Sequence, residues 1–245
     1  MATFVLLHGS WQGAWAWGAV TPLLERAGHR ALAVDLPDEC WKQQRERPVT
    51  LAWLADHVAS VVATATPPVV LVGHSAGGIL ASEVAERCPK RLACLVYLCA
   101  FMLRDGESIE TFYAAHLQPW MRGANRRATL SSDGLWTRID PADAMEVFYH
   151  CAPLEIGRAA AARLTTQPVA PAKTALRLTS ERYGSVRRYY IEALQDRSVH
   201  LELQRTMLAS QPCHEVFSID TDHAPQLSRP ALLAGMLLRI ADAQA

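Results

Sequence analysis

The run Val69-Val70-Leu71-Val72 leads directly into Gly73-His74-Ser75-Ala76-Gly77-Gly78, and a helical pattern begins at once after it. A short β-branched apolar run reads as a buried strand, and the residues from Ala76 to Arg87 read as a helix that Pro89 ends. A chain that passes from strand to helix this quickly must turn sharply, with serine at the apex and glycine two positions to either side. Bulky side chains at 73 and 77 would collide across the turn, and glycines there remove that clash and let the chain take strained dihedrals. The helix N-terminus then points backbone N–H groups at any negative charge developing beside the serine.

The rest of the chain repeats the alternation. Strands are predicted over 3–7, 31–36, 92–98, 186–193 and 215–219. Helices are predicted over 17–27 (stopped by Gly28), 50–65 (capped by Thr50 and broken by Pro67-Pro68), 199–209 and 229–243. Residues 37–48 read as an irregular charged stretch. Between about 104 and 182 the pattern changes to arginine clusters, aromatics and helical segments without a convincing strand. Alternation of this kind implies a mostly parallel sheet of about six strands with helices on both faces. Residues 1–103 and 183–245 are expected to form this core, and 104–182 a helical lid inserted between the fourth and fifth strands.

Composition removes several functional classes. The 245 residues carry a formal net charge of +0, which offers no electrostatic footprint for nucleic acid or an anionic membrane. No apolar run reaches the roughly 18 residues of a membrane span. The N-terminus reads as a first strand rather than a signal peptide. Cysteines at 40, 88, 94, 99, 151 and 213 form no CxxC pair, so buried thiols and a cytoplasmic location are expected. No H-E-x-x-H or G-x-x-x-x-G-K-[ST] occurs, and neither metal nor organic cofactor is expected.

A G-x-S-x-G between strand and helix is the nucleophile elbow of the α/β-hydrolase fold, which makes Ser75 the candidate nucleophile. That fold draws one oxyanion donor from the residue after the nucleophile and another from a loop after an earlier strand. Here these are the backbone N–H groups of Ala76 and Ser10, the latter in His8-Gly9-Ser10-Trp11. His8 itself is read as a structural histidine bonded to its loop. The base should follow the last strand, which selects His223 in Asp220-Thr221-Asp222-His223. The acid should lie between nucleophile and base in chain order, after a late strand, and Asp196 fits. Asp222 is too close in sequence to fold back onto its neighbour's ring, and Asp220 is assigned a structural role. Trp11, His74, Phe112, Trp120, Trp136, Phe148 and Tyr149 are candidate substrate-binding residues, with packing of the inserted segment as the alternative for its aromatics.

These stretches together resemble the plant methylesterase and hydroxynitrile lyase family and its bacterial esterase relatives. His8-Gly9-Ser10-Trp11-Gln12-Gly13-Ala14-Trp15 is similar to the family's H-G-x-x-x-G-x-W start, and Gly73 to Gly78 to its elbow. Glu181 to Arg188 is similar to its E-R-x-G-S-x-x-R segment, Asp196 falls where it keeps its acid, Asp222-His223 matches its D-H, and Phe148 to Pro153 also looks familial. Gln12 departs from the histidine of many members. The resemblance implies a serine carboxylesterase acting on a small to medium ester, such as a methyl ester of an aromatic or cyclic acid. Two rival readings stand beside it: a lyase using the same triad, and, from another class, a ligand receptor that keeps the fold but turns over little. The family's lyases carry lysine directly after the catalytic histidine, where this chain has Ala224. The expected partner is a small-molecule ester, with no nucleic acid or membrane, and a homodimer is the assembly considered.

Overall fold

A computed structural model describes residues 1–36, 49–121 and 127–244. The expected irregular stretch over 37–48, with Cys40, lies outside the described residues. Six strands form one sheet in the order β2-β1-β3-β4-β8-β9. They are β1 (Thr3–Leu7), β2 (Arg30–Val34), β3 (Val69–His74), β4 (Leu92–Leu98), β8 (Arg188–Ala193) and β9 (Glu215–Ile219). Every pairing in this sheet is parallel. All strands therefore end at one edge, and the loops leaving β1, β3, β8 and β9 gather there, where ligands of open α/β sheets bind.

Alternate side chains along each strand face opposite layers, and the core divides accordingly. Val5, Leu7, Leu71 and Leu95 pack against α2 (Leu51–Thr64) and α3 (Gly77–Arg87). Phe4, Leu6, Val70, Val72 and Val96 face α1 (Thr21–Arg26) and α10 (Pro230–Asp242). With both faces covered, β3 is buried at every position, so its sequence is continuously apolar rather than alternating. Thr50 caps α2 as expected, its side chain accepting from the Trp53 N–H at 3.2 Å.

Two expectations are corrected. The segment between β4 and β8 is not strand-free: β5 (Thr129–Leu130), β6 (Trp136–Arg138) and β7 (Gln167–Pro168) form an antiparallel sheet. Strands of two or three residues are too short to show a period of two. The same segment holds α4 (Ile109–His116), α5 (Pro141–Phe148), α6 (Leu154–Ala161) and α7 (Ala170–Lys173). The helix expected over 17–27 is a 3-10 turn, Ala14–Trp17, followed by α1, which Pro22 opens and Gly28 (φ +86°) ends. The closing helix expected over 229–243 is α10 (Pro230–Asp242), and a short α9 (Pro225–Ser228) precedes it, with Arg229 non-helical between them because a residue before proline is pushed out of the helical region. The five described cysteines are free thiols. Among the described residues, no helix is long and apolar enough to cross a membrane.

Candidate active site

The turn after β3 holds Ser75 at φ +54°. The left-handed strain of the turn sits on the serine itself, and neither flanking glycine has a positive φ. The role of Gly73 is steric: a Cβ there would lie 2.6 Å from the Gly77 carbonyl oxygen. Ser75 is locked by its N–H donating to Leu98 O at 3.2 Å, and by its carbonyl accepting from Gly78 N–H at 3.0 Å and Phe101 N–H at 3.1 Å. A non-glycine residue in this region costs about 1–3 kcal/mol and persists only where its surroundings enforce it.

His223 lies in the loop after β9. Its Nε2 is 2.9 Å from the Ser75 Oγ, and its Nδ1 is 2.6 Å from Asp196 Oδ2. Sheet register brings the two late loops together. Ala193 pairs with Ile219, and beyond the strands Leu194 N–H donates to Ile219 O at 3.0 Å and Gln195 N–H to Thr221 O at 2.9 Å. Asp196, the next residue, therefore arrives beside His223. Its Oδ1 accepts from Ser198 N–H at 2.7 Å and Val199 N–H at 2.9 Å, and its Oδ2 faces the imidazole while also accepting from Gln204 Nε2 at 3.4 Å. Gln204, on α8 (Leu201–Ser210), braces this loop: it accepts from Ala193 N–H at 3.1 Å and donates to Val199 O at 2.7 Å. Sequence reading assigned Gln204 no role; the one available signal was a polar residue on the buried face of an amphipathic helix.

Asp222 points away from His223. Its Oδ2 accepts from Cys151 N–H at 2.7 Å, and its Oδ1 from Ala224 N–H at 3.1 Å and Ser228 Oγ at 2.9 Å. Asp220 accepts from Gln195 Nε2 at 2.8 Å. His8 donates from Nδ1 to Gly9 O at 2.8 Å. His74 is not a pocket residue: its Nε2 donates to the His223 carbonyl at 2.7 Å, and its Nδ1 accepts from Gln226 Nε2 at 3.3 Å. Burial first, and then the neighbouring His223, hold the His74 imidazole well below its ordinary range, so it stays neutral and supports the backbone of His223. Cys99 Sγ also faces the His223 carbonyl at 3.5 Å. The donor atoms of His74, Cys99 and His223 lie within 4.8 Å of one another. They are poor metal ligands, since both ring nitrogens of each histidine are hydrogen-bonded and burial pushes the Cys99 thiol well up.

Ser10 and Ala76 border one narrow cavity of about 50 Å³, shared with Leu51, Leu54, Ile79 and Gln167. The expected pocket aromatics are dispersed. Phe148 packs on the His223 ring at 5.4 Å between centroids, and Trp11 stacks on Phe148 at 6.0 Å. Tyr149 is fully buried behind them and accepts from Gln12 Nε2 at 3.2 Å. Phe112 is core, packed against Phe101. Trp120 is 58% exposed and lies edge-on to His200. Trp136 borders a separate cavity with Val49 and Lys173.

Residues 4–236 match the sequence model of the alpha/beta hydrolase family. The chain belongs to this family. This alpha/beta hydrolase is 30% identical over 253 residues to methylesterase 9 of Arabidopsis thaliana, with 99% of each chain covered. It is 32% identical to methylesterase 1 of the same plant, over 98% of this chain and 95% of that one. It spans 63% of the longer putative methylesterase 11, chloroplastic, at 32% identity over 97% of its own length. Among solved structures it superposes on polyneuridine aldehyde esterase with a TM-score of 0.86 at 28% identity, covering 98% of this chain and 99% of the other. A pyrethroid hydrolase from Sphingobium faniae JZ-2 gives 0.85 at 29% identity, covering 99% and 98%.

Proposed function

We propose that this alpha/beta hydrolase is a serine carboxylesterase for small to medium esters, with Ser75 as nucleophile, His223 as base and Asp196 as its orienting acid. The observation that carries the reading is the continuous line from Ser75 Oγ to His223 Nε2 (2.9 Å) and from Nδ1 to Asp196 (2.6 Å). Ser75 Oγ attacks the ester carbonyl as its proton passes to Nε2, and Asp196 steadies the imidazolium. The carbonyl oxygen becomes an oxyanion held by the N–H groups of Ser10 and Ala76, each worth roughly 3 kcal/mol in such sites. Collapse breaks the ester C–O bond, and His223 returns the proton to the departing alcohol. Water, deprotonated by His223, then attacks the acyl-enzyme and releases the acid. The apolar walls beside Ser10 and Ala76 support an uncharged group there, and the methylesterase relatives support a methyl ester. Residues 104–182 are read as a lid because Ile109, Gln167, Pro171 and Ala172 close one side of that cavity.

The experiment is a panel of p-nitrophenyl and methyl esters, run with a fluorophosphonate probe on the wild type and Ser75→Ala. Steady turnover, single labelling at Ser75 and loss of both in a folded alanine variant are expected. Labelling at another residue, or undiminished turnover in Ser75→Ala, would sink the assignment.

A further inference from the structure

The loop after β1 supplies Ser10, yet the residue beside it is in an unfavourable conformation: Trp11 has φ +63°, a region bulky residues rarely adopt. Both peptide planes flanking Trp11 are held by the segment between β4 and β8. Trp11 N–H, in the plane shared with Ser10, donates to Gln167 Oε1 at 3.2 Å. Its carbonyl accepts from Thr165 N–H at 2.8 Å. Its indole Nε1 donates to the Thr137 carbonyl and to Thr137 Oγ1, both at 3.2 Å. Thr137 Oγ1 in turn donates to Gln167 O at 3.4 Å, and Thr137 and Gln167 are register partners in β6 and β7. The small sheet, through Gln167 and Thr137, and Thr165 just ahead of β7 thus grip Trp11 at three points.

We propose that Gln167 is a positioning residue for the oxyanion-binding loop, acting through the Ser10–Trp11 peptide; this rests on the esterase reading above. Holding that plane restrains ψ of Ser10 and so narrows the directions open to the adjoining Gly9–Ser10 peptide, whose N–H would face the carbonyl at Ser75. Donors that are already aimed need no reorganisation as charge develops, which is where their catalytic effect comes from. Gln167 also borders the cavity beside Ser10 and Ala76, so the side chain that aims the loop stands next to the group being transferred. The inserted segment then does more than cover the site, because its sheet completes the oxyanion-binding geometry.

The test compares Gln167→Leu, which keeps the bulk and loses the acceptor, with Gln167→Glu, which keeps an acceptor. Three quantities are read: kcat and KM on a p-nitrophenyl ester, affinity for a trifluoromethyl ketone that forms a tetrahedral adduct, and hydrogen–deuterium exchange of the peptide spanning Ser10 to Gln12. Gln167→Leu should lower kcat by roughly 10–100-fold, since displacing a catalytic group by about 1 Å can cost about 10²-fold. KM should hold, the ketone should weaken by a similar factor, and exchange at Trp11 should rise. Gln167→Glu should recover most of each. An active wild type whose kcat survives Gln167→Leu, or a loss equal in both variants, overturns the proposal. A wild type that turns over no ester overturns the esterase reading instead, and the exchange readout then decides the clamp alone, with unchanged exchange counting against it.

Discussion

Two aspartates stand within reach of the sequence around His223, and their side chains have been given opposite work. Asp196 uses one oxygen on its own loop and the other on the imidazole. Asp196→Asn would put an amide where only an acceptor serves, and the imidazole would be held in the wrong tautomer; kcat should fall by about 10⁴. Asp222 spends both oxygens tying Cys151, Ala224 and Ser228 together. Asp222→Asn should cost about 1–3 kcal/mol of stability and far less rate. Kinetics beside urea denaturation of both variants checks this, and a reversed pattern would mean that the wrong carboxylate was chosen. Ala224, fully buried next to His223, decides a second outcome. Cyanohydrin cleavage liberates an anion that needs a cation nearby, and an unpaired anion in an apolar site is costly. Arg229, further along, is exposed and donates to Ser228 O at 3.2 Å. Mandelonitrile should therefore not be cleaved above the buffer rate while an activated ester is; Ser75-dependent cyanide release outpacing ester hydrolysis would reverse the reading.

Elements carry the site by where they stop. The elbow works only if β3 and α3 approach to backbone contact, so Gly73→Ala, with its Cβ 2.6 Å from a carbonyl that cannot swing aside, should destabilise by about 1–3 kcal/mol or more. A thermal midpoint within a degree of wild type would show that the turn can relax. This turn was legible in the sequence because its constraint is local: strand, glycine, serine, glycine, helix. So were the six core strands, the inner four of them apolar runs buried on both faces, and Asp196 and His223, which follow β8 and β9. The grip of β6 and β7 on Trp11 was not, since contacts spanning over a hundred residues leave no periodic trace. Nor could the aromatics of the inserted segment be sorted: Phe148 on the base and Trp120 at 58% exposure are equivalent as letters, and only tertiary packing separates them.

Across the whole molecule, the site has been built on buried imidazoles that must stay neutral, and this sets how stability responds to pH. Burial is the leading cause that holds both His8 and His74 below their ordinary value of 6.5. Unfolding frees these rings to take up protons at ordinary affinity. Between pH 6.5 and the lower folded values, the unfolded chain binds more protons than the folded one, so stability drops as pH falls through that window. Above it these two groups contribute no pH dependence. Each ring contributes a slope of at most about 1.4 kcal/mol per pH unit. Glu192 adds a second stage below its ordinary 4.5: hydrogen bonds from Arg205 and Ser218 outweigh its burial and hold its carboxyl low, so that stabilisation is present above 4.5 and is lost as acid protonates it. Protonating His74 would also place a cation beside His223 and remove the acceptor for Gln226, so the acid limb should loosen the base before the sheet. Urea midpoints should be level from pH 8 to 7, decline from 6.5 to 5 and steepen below 4.5. A midpoint constant between pH 6.5 and 5 would show that neither imidazole is held neutral by the fold.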